Sequence, residues 1–226
     1  MSESEAVSLT EPATRYAKGN VARQRLLQVA LELFGVQGFQ ATTTRQIAEM
    51  ADQTLPAIRY YFGNKEGLYM ACAQSIAASY RDSMGAAGRQ ALHALQAGGD
   101  RASLKAALHA LLAGLVHLLV GNEDARRWSA FITRETQSPG AAQELLYEQI
   151  WAPGIHLVAR LLAAIQGRAE VTTPDRLQAV LLISAITTFQ SSSGITHRLM
   201  GWSHVGPKER EQVAASVRQL VERAVE

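Results

Sequence analysis

Apolar residues recur along this chain at three- and four-residue spacing and almost never alternate, so helices are expected throughout and strands are not. In residues 21–36, Leu26, Leu27, Ala30, Leu31 and Phe34 form one stripe. Gly35 and Gly38 follow as terminators, and Phe39 is placed to fold back on the core. Residues 43–65 then read as two short helices joined by a tight turn. Thr43 and Gln46 stand at capping-box spacing ahead of Ile47, Ala48, Met50 and Ala51, which are expected to be buried. Thr54 is a second N-cap, Pro56 suits a first helical turn, and Ile58 and Phe62 share a face. Gly63 stops that helix, and Asn64 caps a fourth, expected to reach about Met84 with Leu68, Tyr69, Cys72 and Ile76 inward. The second helix of the pair is too short to stand alone. With Arg59, Tyr60 and Tyr61 on it, it suits presentation: a helix-turn-helix that sets residues 55–59 into a DNA major groove.

The rest of the pattern divides the chain. Residues 1–18 are small and polar without periodicity, the mark of a disordered tail. Residues 85–103 are rich in Gly and Ala and read as a loop with a marginal helix, a natural boundary. Long helical patterns follow at about 104–120, 124–136, 141–166, 174–199 and 207–225, with Pro153 and Gly154 kinking the third. Five such helices make a bundle able to enclose a pocket and supply a dimer face. The expected protein is all-α: a tail at 1–18, a three-helix DNA-binding domain at 19–66, and a ligand-binding and dimerisation bundle at 67–226, with 67–84 as connecting helix.

Composition narrows the class. One cysteine, Cys72, excludes an internal disulfide framework and fits a reducing compartment. The start of the chain has no apolar signal core, and the apolar runs at 108–120 and 179–189 are too short to span a bilayer. A soluble, cytoplasmic protein with no membrane partner is expected. The net charge of +2 is unevenly spread: residues 15–65 carry seven Lys or Arg against Glu32, Glu49 and Asp52, a local +4. That is where phosphate binding needs it, although an ordinary solvated surface would look the same. GxxxxGK, GxGxxG, GxSxG and HExxH are all missing. His109 and His117 lie too far apart along a helix to share a metal, and the serines at 191–193 near His197 form no recognisable triad. An enzyme is not expected, nor a catalytic site, a metal or a cofactor.

Specific motifs then carry a resemblance. Ala30–Phe39 reads A-L-E-L-F-x-x-x-G-F, residues 43–48 read T-T-R-Q-I-A, and Y-Y-F and N-K-E-G-L follow by Leu68. The region resembles the head of the TetR family of bacterial transcriptional regulators. It departs at Asp52-Gln53, where the family has Gly-Val, and at Arg59, where it has an aromatic residue. Residues 57–69, A-C-A-Q at 71–74 and F-I-T-R-E-x-x-S-P-x-A-A at 131–142 resemble a CecR-type subgroup, as do Glu148-Gln149, Pro153 and Gly201-Trp202. The resemblance implies a homodimeric repressor that binds a palindromic double-stranded operator and is released by a small, apolar or amphipathic effector. Its genes would be for efflux or drug tolerance. An activator or dual regulator would carry the same head.

Local chemistry and resemblance agree on candidate DNA contacts. Thr43 and Thr44 offer a helix start for phosphate, with simple capping the alternative for Thr43. Lys65, a cation in a first helical turn, is explained by a phosphate or neutralised by Glu66 and solvent. Tyr61 is expected to reach phosphate while Tyr60 packs on the first helix. Arg45 and Arg59 suit guanine edges, with phosphate as the other reading of Arg59. Gln53, Thr54, Leu55, Pro56 and Ala57 line the tip. Arg15, Lys18 and Arg23 are either a DNA-tracking arm or a plain basic tail. For the effector, the candidates are Trp128, Phe131, Arg134, His156, Phe189, Gln190, His197, Arg198 and Trp202, each also readable as core, surface or interface.

Overall fold

The computed structural model describes residues 11–191 and 193–226, with side chains from 19 to 190 and from 194 onward. Every regular element among them is a helix: α1 (Glu11–Ala41), α2 (Thr44–Met50), α3 (Leu55–Phe62), α4 (Lys65–Gln96), α5 (Arg101–Leu119), α6 (Glu123–Gln137), α7 (Gln143–Leu146), α8 (Ala152–Ile165), α9 (Thr173–Ser191), α10 (Ser193–Met200) and α11 (Pro207–Ala224). Two compact units emerge, residues 1–72 and 73–226, and α4 contributes its first two turns to one and its remainder to the other.

In the first unit the apolar stripe of α1 does what its spacing predicts. Leu26, Ala30 and Phe34 are wholly buried, as are Ile47 on α2 and Leu68 and Cys72 on α4. Phe34, Phe39 and Tyr69 pack ring on ring, with centroids 4.9 to 5.9 Å apart. Each large side chain so buried contributes roughly 1.5–3 kcal/mol before entropy. α1 breaks at Gly38, whose φ of 85° is left-handed. Buried Thr42 locks that break, its hydroxyl lying 2.8 Å from the Gly38 carbonyl and 3.2 Å from that of Leu33.

Several expectations need revising here. Met50 is 57% exposed, because α2 is only seven residues long and its last position turns away from α1. The tail expected over 1–18 overlaps α1, which starts at Glu11; residues 1–10 lie outside the described set. α4 does not stop near Met84 but continues to Gln96 through the Gly/Ala segment. Its glycines cost helix propensity, about 1 kcal/mol each, and burial of Ala91 and neighbouring packing offset it. The division between units therefore falls inside α4 and not at 85–103.

The second unit is organised on α5, which packs against α8, α9 and α11, while α8 packs against α9. Leu108, Leu112 and Val116 on α5 and Leu161 and Leu162 on α8 are at or near zero exposure. Because α5 begins at Arg101, it is long and apolar enough to cross a membrane, contrary to the reading of 108–120 alone. Half of that stretch is buried inside the unit, as in any core helix. The helix expected over 141–166 is three pieces: α7, a π-helical stretch (Tyr147–Trp151) and α8. Pro153 has no N–H to donate, so the irregularity sits just ahead of it. Of the helix expected over 174–199, α9 and α10 are the described parts, and Ser192 between them lies outside the described residues.

α9 is fastened at its start by a buried ion pair. Arg168 grips both carboxylate oxygens of Asp175, and Oδ2 also accepts from the Thr172 N–H (2.8 Å) and hydroxyl (2.6 Å). The Asp175 side chain is 2% exposed and that of Arg168 34%. Hydrogen bonding from Arg168, opposed by burial and reinforced by Thr172, holds the Asp175 carboxyl far below the usual carboxylate range.

Asp175→Asn is expected to cost about 2–4 kcal/mol, read as a lower urea midpoint at neutral pH. A depressed folded-state pKa stabilises above the unfolded value, near about 4, and that contribution drains away as pH falls further. The gap between wild type and variant should thus narrow only in acid; a constant gap down to about pH 2 would contradict the pairing.

Candidate nucleic-acid interface and ligand cavity

The turn between α2 and α3 is built by backbone hydrogen bonds. Gln53 N–H donates to the Ala48 carbonyl (2.9 Å) and Asp52 N–H to that of Glu49 (3.2 Å), the Schellman pattern. Such a turn needs a left-handed residue, and Asp52 supplies it with φ 53°, among the described residues the one non-glycine at positive φ. The departure from Gly at this position is thus a strained substitution inside an intact turn. α2 opens with the expected capping box: Gln46 N–H donates to the Thr43 hydroxyl oxygen (3.1 Å) and Thr43 N–H to Gln46 Oε1 (2.9 Å). Thr43 therefore serves as a cap, and half-buried Thr44 begins the helix.

α3 has eight residues, and of these Ile58 is the one fully buried. Thr54 occupies the N-cap position without a side-chain cap hydrogen bond, so Pro56 and packing hold the start. Leu55, Pro56, Arg59 and Tyr60 lie exposed on one face, while Ala57, Tyr61 and Phe62 are half-buried on the other. Here the two tyrosines exchange the expected places. Tyr60 is 83% exposed, whereas Tyr61 leans on α1 with its hydroxyl close to Gly19. Helical geometry decides it: Tyr61 is three residues beyond Ile58 and shares its inward side, and Tyr60 is one residue beyond Arg59.

The remaining cations are partly engaged. Arg45 pairs with Glu49 at 2.9 Å, but both are largely exposed, so the pair is worth little and is easily given up. Arg23, read as part of a basic arm, stacks on Phe62 with its guanidinium carbon 5.4 Å from the ring centre. Lys65 sits 4.4 Å from the Phe39 ring centre and 3.5 Å from the Gln40 carbonyl. That contact explains a cation at a helix start without invoking solvent or Glu66. Gln53 is half-buried and donates to the Asp52 carbonyl (2.6 Å). α4 is entered through Asn64, which accepts from Gly67 N–H (2.7 Å). Gly67 itself admits no side chain, since a Cβ would lie 2.0 Å from the Phe62 carbonyl oxygen.

The second unit holds a cavity of about 550 Å³. Tyr80, Met84, Gly85 and Gly88 of α4 form one wall, and Leu111, Leu112 and Leu115 of α5 another. Ile132 and Thr136 of α6, Trp151, Gly154 and Val158 near α8, and Gln190 of α9 complete it. Of the effector candidates, Gln190 is among its lining residues and the others are not. Trp128 and Phe131 are buried core, although Trp128 touches Tyr80 with ring centres 5.3 Å apart. Arg134 is half-buried and His156 exposed. Phe189, His197 and Trp202 form a separate cluster, with Trp202 6.1 Å from each of the other two rings. The candidates were mostly aromatic or basic, but this cavity is walled largely by aliphatic residues, which leave no comparable mark in a sequence.

Comparison with known proteins agrees with this architecture. Residues 26–72 match the family described as bacterial regulatory proteins, tetR family, and residues 104–226 match the HTH-type transcriptional dual regulator CecR, C-terminal domain. The chain is 34% identical to the HTH-type transcriptional dual regulator CecR of Shigella flexneri over 88% of its own length and 89% of the relative's. Its fold is similar to that of NalD from Pseudomonas aeruginosa, the secondary repressor of the MexAB-OprM multidrug efflux pump. The TM-score is 0.62 at 20% identity, covering 91% of this chain and 97% of that one. A TetR-like regulator from Rhodococcus sp. RHA1 has the same fold, with a TM-score of 0.54 at 21% identity, covering 90% and 95%.

Asp52→Gly should relieve the strained turn, stabilising the protein by about 0.5–1 kcal/mol. A thermal melt should then rise by roughly 2 °C, and a fall would show that Asp52 is at no disadvantage there.

Proposed function

Because the chain belongs to the TetR family of bacterial transcriptional regulators and has a CecR-type C-terminal domain, we propose that it is a repressor released from its operator when a small molecule enters the cavity of its second unit. It is a DNA-binding transcriptional regulator, and the family's members are not enzymes. The observation that carries the release reading is the cavity itself: α4 lines it with residues 80–88 and, as one unbroken helix, begins in the DNA-binding unit. A ligand that binds two states of α4 unequally shifts the balance between them by its differential affinity, typically ~1–3 kcal/mol.

The DNA-facing side is the exposed face of α3. Arg59 is proposed to read a guanine edge, with Leu55 and Pro56 against thymine methyls and Tyr60, in place of Tyr61, reaching a phosphate. Thr43, Thr44, Arg45 and Lys65 surround that face, with Gln53, Thr54 and Ala57 at its tip. Two copies would occupy half-sites about 34–36 Å apart, or a multiple, on a palindromic operator. The resemblance points to the helices at 141–166 and 174–199 as the dimer bundle, and within it we propose α9 as the surface, where Leu177, Val180 and Leu181 are 60%, 41% and 69% exposed at helical spacing. The subgroup resemblance extends the proposal to genes for efflux or drug tolerance. A second reading, dual regulation, is favoured by the description of the Shigella relative. Deleting the gene should raise reporter expression from every target if it represses, and lower it at some if it is dual.

In gel shifts with the gene's own upstream region, Arg59→Ala should cost about 1–3 kcal/mol and relax preference at one base pair. Lys65→Ala should weaken binding evenly across sequences and flatten the salt slope by about one. An unaltered slope would leave Lys65 as a partner of Phe39 alone. Leu181→Glu should convert dimer to monomer in sedimentation and abolish high-affinity operator binding; an unshifted dimer would place the interface elsewhere.

A further inference from the structure

The cavity's lining constrains what can enter it. Arg81, exposed on α4, is the one formally charged lining side chain, and among the described residues no carboxylate lines the cavity. Asp82, Glu135 and Glu148 adjoin lining residues along the chain but are not part of the wall: Asp82 and Glu148 are exposed, and buried Glu135 accepts from the Gly140 N–H (3.3 Å). A second guanidinium, that of Arg89, curls back along α4 to within 3.2 Å of where a Cβ on Gly85 would stand. The electrostatic environment of the α4 wall is thus positive, with no acid in the lining to receive a cation. Taking a cation out of water there costs desolvation with no opposite charge to offset it.

The lining lacks a side chain at a few positions, Gly85 and Gly88 on α4 and Gly154 on α8. Gly88 on α4 and Gly154 on α8 both line the cavity, and a Cβ added at either would meet nothing within 4 Å. Both positions are therefore open to close approach, and Gly154 lies three residues, about one helical turn, beyond Trp151 in the lining. Bare backbone beside an aromatic face suits a flat ring, and the polar lining is acceptor-rich: the Thr136 hydroxyl donates to the Thr133 carbonyl (2.7 Å) and the Gln190 amide to that of Ala125 (3.1 Å), which leaves their oxygens to accept.

We infer that the cavity selects a flat, ring-bearing apolar molecule that is neutral or carries a single negative charge, and excludes cations, with Gly88 and Gly154 setting its width. This rests on the reading of the cavity as the effector site. It is tested by fluorescence titration of the full chain with three ring-bearing dyes: neutral N-phenylnaphthylamine, anionic anilinonaphthalene sulfonate and cationic auramine O. The first two should bind saturably, at least about tenfold more tightly than the cation. Gly88→Leu should weaken both about tenfold by filling the space the ring occupies; should that variant lose helicity, Gly154→Leu reads the same wall. Arg81→Glu should lower the ratio of anion to neutral affinity by about tenfold.

Auramine O bound as tightly as the anion overturns the charge selectivity, and so does an unchanged ratio in Arg81→Glu. Unaltered dye binding in both leucine variants overturns the assignment of the walls. Release of DNA is read separately, by anisotropy of a labelled fragment of the upstream region. Selective, glycine-dependent binding that leaves DNA retention untouched upholds the selectivity and defeats the release reading; unselective binding accompanied by release does the opposite.

Discussion

An eight-residue helix with one fully buried side chain cannot hold itself in place, and the first unit is arranged around that constraint. α3 gains almost nothing from its own hydrogen bonds, since nucleation of so short a helix is unfavourable. Its position is imposed at both ends. The Schellman turn at residues 51–53 fixes where it begins, and the tight passage from Phe62 to Gly67 fixes where it stops. Ile58 and the half-buried Tyr61 and Phe62 then settle its rotation about its axis. Everything left over on the outer face, Leu55, Pro56, Arg59 and Tyr60, is free for another molecule. A helix held by its ends spends few of its own residues on stability, which suits a surface meant to be read against DNA.

The second unit solves the opposite problem. It has ample apolar surface, enough to close completely, yet it keeps a void. Leu108, Leu112 and Leu162 pack as tightly as any core, while on the neighbouring faces of α4 and α8 glycine stands where a larger residue would fill the space. An apolar void forfeits the dispersion contacts of its lining, so keeping it open costs stability. The buried Arg168–Asp175 pair at the start of α9 and the attachment of α11 to α5, where Glu222 accepts from Lys105 and from His109 (2.9 Å), hold the surrounding helices in place.

Much of this was legible beforehand. The Thr43–Gln46 box, the stop at Gly63 and the Asn64 cap depend on neighbours three residues away, and each forms as its spacing predicts. Burial of Leu26, Phe34, Ile47, Ile58 and Leu68 follows from helical period alone. Less legible were features set by which side of a helix meets what. Met50 lies in an apolar run but faces out, and Tyr60 and Tyr61 cannot be told apart until the orientation of α3 against α1 is known. The effector candidates were mostly aromatic or basic residues, and the cavity is instead walled largely by aliphatic side chains, with glycine at three places. Similarly, the Gly/Ala run at 85–103 has the composition of a loop, and burial on one side keeps most of it helical.

By itself, then, the order of residues determined the all-helical class, the Thr43–Gln46 box and the Asn64 cap, the DNA-binding head and the family, because those rest on contacts within about one turn and on motifs written contiguously. Tertiary structure decided the rest: the exposed face of α3, the alternative role of Lys65 against Phe39, the extent of α4 and the place and lining of the cavity. These depend on residues far apart in the chain competing for the same space, and no local pattern records which of them wins.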